Sequence, residues 1–201
     1  MAENRLSSKV SIVVIGGSAG SLDIILNMLD RLEATISFPI VIVVHRKASF
    51  DSSLTDLLAL RTLLAVKEAE EKEKLSAGVV YVAPADYHLL IEKDGTFSLD
   101  YSERLHYSRP AIDATFETAA EVYGPGTVGI LLSGANADGA NGLKVIHEVG
   151  GLTAIQDPEM AEVAYMPRQA LAKTTIDYIL HNEEVGLFIN MLSQESRFYS
   201  A

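Results

Sequence analysis

Val10-Ser11-Ile12-Val13-Val14-Ile15-Gly16-Gly17-Ser18-Ala19-Gly20-Ser21 is the stretch on which the fold turns. Its first half is short, β-branched and apolar nearly throughout, as a strand buried on both faces must be. The glycines and serines that follow read as a tight turn. From Leu22 to Leu32 the pattern becomes helical, with Ile24, Ile25, Met28, Leu29 and Leu32 on one face. Pro39 closes the connection, and Ile40-Val41-Ile42-Val43-Val44 is a second buried strand, stopped by His45-Arg46-Lys47. Strand, helix and strand in this order make a βαβ unit, whose strands are parallel.

The same alternation runs outward along the chain. Asp51 to Leu64 reads as an amphipathic helix, Val66 to Glu68 as a short strand, and Glu70 to Lys74 as a solvated turn. Val79 to Ala83 is a strand closed by Pro84. Leu89 to Glu92 and Phe97 to Leu99 flank Asp94-Gly95 and predict an antiparallel hairpin. A helix over Pro110 to Tyr123, a core strand over Thr127 to Leu132, a helix over Ala140 to Val149 and a strand over Leu152 to Ile155 follow. Helices beginning at Pro167 and spanning Val185 to Leu192 complete the order, with His181 just after the last strand. The expected fold is α/β, doubly wound, with a mainly parallel sheet, helices on both faces and one antiparallel hairpin. Neither repeat nor linker interrupts it, so residues 1–201 are expected to form one domain with its core at about 10–192.

Composition narrows the function. Hydrophobic residues make up 48% of the 201, and charged residues 21%. With no cysteine, disulfides, thiolate nucleophiles and cysteine metal sites are excluded. The N-terminus lacks the apolar core of a signal peptide, and no apolar run has the length to cross a bilayer. A cytoplasmic location is the expectation, with no direct membrane insertion. A formal net charge of −11 repels phosphate backbones, so no nucleic-acid partner is expected.

In open parallel sheets ligands bind beyond the carboxyl ends of the strands. Three useful side chains fall there: Ser18 after the first strand, His45 at the end of the second and Asp138 in the loop after Thr127–Leu132. A serine hydroxyl is a weak nucleophile until a base takes its proton. An imidazole can do so and return the proton to the leaving group. A carboxylate on its other nitrogen fixes the tautomer and steadies the imidazolium. Backbone amides must also face the developing oxyanion; those of Ala19 and Gly20, at a helix N-terminus, are candidates, as are those of the Gly134–Asn136 loop, Ala135 included. Each piece alone has a plainer reading: a phosphate-binding turn, a strand-end histidine, an Asp-Gly turn with a helix cap. Their common position at strand ends favours the joint one.

Other ligands fit less well. Gly16, Gly17 and Gly20 lack the spacing of a dinucleotide fingerprint, and His45-Arg46-Lys47 stands where a ribose-binding acid belongs. No Walker A lysine is present. The Gly16-Gly17-Ser18-Ala19-Gly20 turn fits a nucleophile elbow, yet the chain order Ser, His, Asp differs from that of common α/β-hydrolases. His88 and His106 lie nearer the presumed site than His147 and His181, for which structural or solvated roles are expected. Neither cofactor nor metal is implied.

Taken together, these motifs resemble the catalytic domain of the chemotaxis protein-glutamate methylesterase family, CheB. Val13–Gly20 is similar to its nucleophile turn, Val43-Val44-His45 to its histidine strand and Leu131–Gly139 to its aspartate loop. Val66–Glu70, Tyr81–His88, Arg109–Asp113 and Met166–Ala170 resemble further segments, in order, over about Val10 to Leu180. The resemblance implies Ser18 as nucleophile, His45 as general base and Asp138 as orienting acid. It implies hydrolysis of glutamate γ-methyl esters to release methanol, with deamidation of receptor glutamines in some relatives. The implied partners are methylated chemoreceptor cytoplasmic helices, with a separate response-regulator or methyltransferase component besides. Three features depart from the family pattern: Ala19 replaces threonine, Gly134-Ala135-Asn136 replaces Gly-Met-Gly before the variable residue Ala137, and Ser108 stands where histidine is frequent. The family's receiver domain is not found in the sequence, so phospho-aspartate control in cis is not expected. Receptor methylation helices are acidic, as this chain is, so docking is expected to be local rather than steered over distance. Two other readings stay open: an esterase or amidase with another substrate, and a non-catalytic receptor-binding module.

Overall fold

The computed structural model describes residues 9–46, 53–105 and 107–198. The chain runs β1 (Ile12–Gly17), α1 (Leu22–Arg31), β2 (Ile40–Val44), α2 (Ser53–Ala59), β3 (Ala65–Glu68), β4 (Val79–Val82), β5 (His88–Ile91) and β6 (Phe97–Asp100). It continues α3 (Ile112–Tyr123), β7 (Thr127–Leu131), α4 (Ala140–Glu148), β8 (Leu152–Gln156), α5 (Tyr165–Lys173), β9 (Tyr178–Leu180) and α6 (Glu184–Phe198). Seven strands form one sheet in the order β3-β4-β2-β1-β7-β8-β9, every neighbouring pair parallel. β5 and β6 pair antiparallel as the expected hairpin, in a separate two-stranded sheet.

Alternation along the central strands explains the layers. Val13 and Ile15 of β1 face one way, onto Ile25, Met28 and Leu29 of α1 and Ile189 and Leu192 of α6. Ile12 and Val14 face the other, onto Ile112 and Phe116 of α3 and Leu143 and Ile146 of α4. Each such side chain contributes on the order of 1.5–3 kcal/mol by leaving water. The doubly wound expectation is borne out, and its consequence is positional. From β1 the chain moves outward through β2 on one side, while β7, β8 and β9 fill the other. The winding therefore reverses between β1 and β7, where a crevice opens at the carboxyl ends of the strands.

Several boundaries moved: α5 begins at Tyr165 rather than Pro167, and α6 runs on to Phe198. β1 extends through Gly16 and Gly17, whose backbones pair with Val43 and Val44. The helix expected over Asp51–Leu64 ends at Ala59; Asp51 and Ser52 lie outside the described residues. Leu60 and Leu63, read as part of its apolar face, are 83% and 87% exposed, while Leu58 and Leu64 are buried. The leucine spacing was helical, but the chain has to turn there to enter β3 beside β4, and the Thr62 hydroxyl accepts the Leu64 amide in that turn.

Candidate active site

Ser18 and His45 are brought together by backbone pairing. Gly17 and Val44 are register partners on β1 and β2, and the His45 amide donates to the Gly17 carbonyl at 3.2 Å. On the opposite side the Ser18 amide donates to the Ser133 carbonyl at 2.9 Å. The serine thus stands at the reversal point of the sheet, between the ends of β2 and β7. Its side chain is half-buried.

Asp138 reaches the same point from beyond β7. His45 Nε2 lies 2.7 Å from Asp138 Oδ2, with the carboxylate fully buried and the imidazole side chain 9% exposed. A carboxylate only accepts, so Nε2 carries the proton and Nδ1 of the neutral ring keeps its lone pair. The Ile112 and Asp113 amides, in the first turn of α3, donate to Asp138 Oδ2 and Oδ1 at 2.8 and 2.9 Å. The positive end of α3 therefore faces the carboxylate and fixes its plane. Among the described residues the Ser18 hydroxyl meets no hydrogen-bonding partner, so the relay is formed between His45 and Asp138 and open at the serine. Such bonds commonly tighten only with substrate in place.

Glycines let these parts approach. A Cβ on Gly16 would lie 2.3 Å from Ile112 Cγ2, and one on Gly134 would lie 2.5 Å from Met166 Cε and 3.1 Å from Ser18 Cβ. The turn itself is tied at several points. The Ser21 hydroxyl and amide both donate to the Ser18 carbonyl, at 2.7 and 3.1 Å. Ser133 Oγ donates to the Ala19 carbonyl at 2.7 Å and accepts from the Val163 amide at 2.9 Å. Gln156 Oε1 accepts the Ser133 amide at 2.8 Å. Sequence reasoning missed Ser21, Ser133 and Gln156; their only signal was a place beside the turn or at a strand end.

Of the amides named as oxyanion donors, those of Ala19, Gly20 and Ala135 meet no acceptor among the described residues. Gly134, by contrast, is clamped through its amide to Val163 and its carbonyl to the Met166 amide, at 3.1 and 3.0 Å. Glu162 lies over Gly20 on the β8 side, its carboxylate 3.0 Å from where a Gly20 Cβ would stand. Among the described residues no group of three His, Asp or Glu side chains is placed to hold a metal.

The other histidines divide as follows. His88 is buried, its Nδ1 accepting the Ala111 amide at 3.1 Å and its Nε2 donating to the Glu103 carbonyl at 2.9 Å. It thereby fixes the entry to α3, one residue before the amide that holds Asp138. His147 lies within α4, and exposed His181 sits 3.5 Å from Asp157. His106 falls outside the described residues.

The arrangement can be set beside known proteins. A family model described as CheB methylesterase matches residues 13–189. The chain belongs to the CheB methylesterase family. A CheB-family relative from Leptospira interrogans (strain Fiocruz L1-130) is 49% identical over 180 residues, spanning 89% of this chain and 93% of the relative. The protein-glutamate methylesterase/protein-glutamine glutaminase 1 of Carboxydothermus hydrogenoformans is 41% identical over 165 residues, spanning 80% of this chain and 48% of that protein. The crystal structure of the Thermotoga maritima CheB methylesterase catalytic domain superposes with a TM-score of 0.87 at 34% identity, over 92% of this chain and all of that domain. The CheB match covers β1 with Ser18, β2 with His45 and the loop bearing Asp138.

Proposed function

We propose that the protein is a protein-glutamate methylesterase acting on chemoreceptors, with Ser18, His45 and Asp138 as its catalytic residues. The observation that carries this reading is the 2.7 Å contact between His45 and buried Asp138, on a histidine paired through its backbone to the residue preceding Ser18. With Nε2 engaged by the carboxylate, His45 Nδ1 takes the Ser18 proton as Oγ attacks the γ-carbonyl carbon of the ester. The carbonyl electron pair moves onto oxygen, where the Ala19, Gly20 and Ala135 amides stabilise it. As the pair returns, the C–O bond to methoxide breaks and His45 hands over its proton, releasing methanol. Water, deprotonated by the same nitrogen, then attacks the Ser18 ester; the acyl C–Oγ bond breaks, Oγ takes the proton back from His45, and the glutamate leaves with Ser18 restored. With a glutamine substrate the same steps expel ammonia.

The Carboxydothermus relative is named for both activities, which supports the pairing of the two reactions here. Methylated cytoplasmic helices of a chemoreceptor are the substrate this reading gives, and a separate response-regulator or methyltransferase component is a further partner. The test is methanol release from a methylated receptor peptide. The wild-type protein releases it and Ser18→Ala does not; equal release by both removes the serine from the mechanism.

A further inference from the structure

Beside His45 the structure holds a cleft of about 430 Å³, within the range of small-ligand sites. Its charged lining is Arg46, Arg104 and Arg109 against one carboxylate, Asp86, with Tyr107 at the wall. Three arginines against one aspartate is the reverse of the balance of the chain, whose net charge is −11.

The cations are unequally neutralised. Arg46 pairs with Glu68 and donates to the Ala83 carbonyl at 3.3 Å. Arg104, 62% exposed in its side chain, is 3.6 Å from Asp86. Arg109 donates through Nη1 to the Tyr101 and Ser102 carbonyls at 3.0 and 2.7 Å and lies 3.8 Å over the Tyr101 ring. No carboxylate of the described residues lies within ion-pair distance of it. The Nε atoms of Arg46 and Arg109 are buried and meet no acceptor among the described residues.

The backbone of the cleft is also unusual. Asp86 and Tyr107 both have left-handed conformations, φ 63° and 64°. For a bulky residue such as tyrosine this is a strained geometry, and strain of that kind concentrates at ligand sites. It presents Tyr107 at 96% exposure, beside Leu105 at 46%. An open cationic cleft with an exposed aromatic side chain in its lining fits an acidic peptide better than a small neutral ester.

We infer that this cleft is the specificity site for the substrate protein, reading carboxylates that flank the ester. The inference rests on the methylesterase reading, under which the substrate is an acidic helix; a glutamate three or four residues from the ester would present its anion one helical turn from the reacting group. The cleft supplies local attraction on a molecule whose overall charge opposes long-range steering.

The experiment uses two fluorescein-labelled 20-residue peptides. Each bears one glutamyl methyl ester, flanked three and four residues away by glutamates in one and by glutamines in the other. Anisotropy titrations on Ser18→Ala measure binding without turnover, and methanol release by the otherwise wild-type protein is measured in parallel. The acid-flanked peptide is expected to bind about fivefold more tightly, as two or three partly exposed ion pairs allow. Arg104→Gln in the Ser18→Ala background removes most of that preference. Asp86→Asn, which tolerates the left-handed backbone, increases it. In the otherwise wild-type protein neither change alters labelling of Ser18 by a small neutral fluorophosphonate. Equal binding of the two peptides, or a preference untouched by both substitutions, overturns the inference whether or not methanol is released. Absence of methanol with the preference intact overturns the methylesterase reading and leaves an acidic-peptide site standing.

Discussion

Asp138 and Asp113 each cap the helix that carries or follows the other. Asp138, directly before α4, accepts the Asp113 amide at 2.9 Å, and the Asp113 carboxylate, in the first turn of α3, accepts the Gly142 amide of α4 at 2.7 Å. Two buried carboxylates thus satisfy two helix N-termini reciprocally. The residue that orients His45 is locked to the core by the same exchange.

Asp113→Ala should therefore cost about 1 kcal/mol of stability, the usual loss for a helix-capping side chain. Because the α3–α4 exchange also holds Asp138, kcat should fall while Ser18 remains able to react. Denaturant unfolding and steady-state turnover of the variant check both. Unchanged stability would mean that the Gly142 amide finds another acceptor at no cost.

Gly16 lies under the start of α3, where a Cβ would meet Ile112 Cγ2 at 2.3 Å. Gly16→Ala should push back the residue whose amide donates to Asp138. Overpacking of this kind costs about 1–3 kcal/mol, and turnover should drop more than that loss of stability alone explains. Turnover at wild-type level in a folded Gly16→Ala protein would show that Ile112 has room to yield.

Glu117, half-buried on α3, has its carboxyl held above the usual range, first by burial and then by the negative charges of Asp113, Glu121 and Asp138. A carboxyl raised on folding binds its proton more tightly in the folded state. Its contribution is present at low pH and is lost as pH rises through the raised value. Glu117→Gln should accordingly raise Tm at pH 7 and change it little near pH 4. Thermal unfolding at the two pH values decides it; an equal change at both would assign the effect to packing rather than charge.

The sheet and the positions of Ser18, His45 and Asp138 were legible in the sequence for one reason. Strands buried on both faces write continuous apolar runs, and the residues ending those runs must lie on one rim. The α2 boundary was misread because Leu60 and Leu63 have helical spacing but no core to meet. The Asp113 exchange and the His88 link depend on how α3 enters over β1, which no local pattern encodes. The arginine cleft joins Arg46 after β2 and Asp86 after β4 with Arg104 and Arg109, so its charge emerges only when distant segments converge. The N-cap of α4 shows the same limit: Gly139, read as part of an Asp-Gly turn, has φ 92°, and its close packing, with an added Cβ 2.5 Å from Leu131 Cδ1, is visible only in three dimensions.

In the proposed mechanism Ser18 is a nucleophile activated by His45 on Asp138. Mass spectrometry of the protein after brief exposure to a fluorophosphonate at neutral pH tests it most directly. One adduct is expected, mapped to Ser18 and forming several powers of ten more slowly in His45→Ala, as loss of a base in such a group does. Rapid labelling of Ser18 without His45, or an adduct on another residue with Ser18 unmodified, would contradict it.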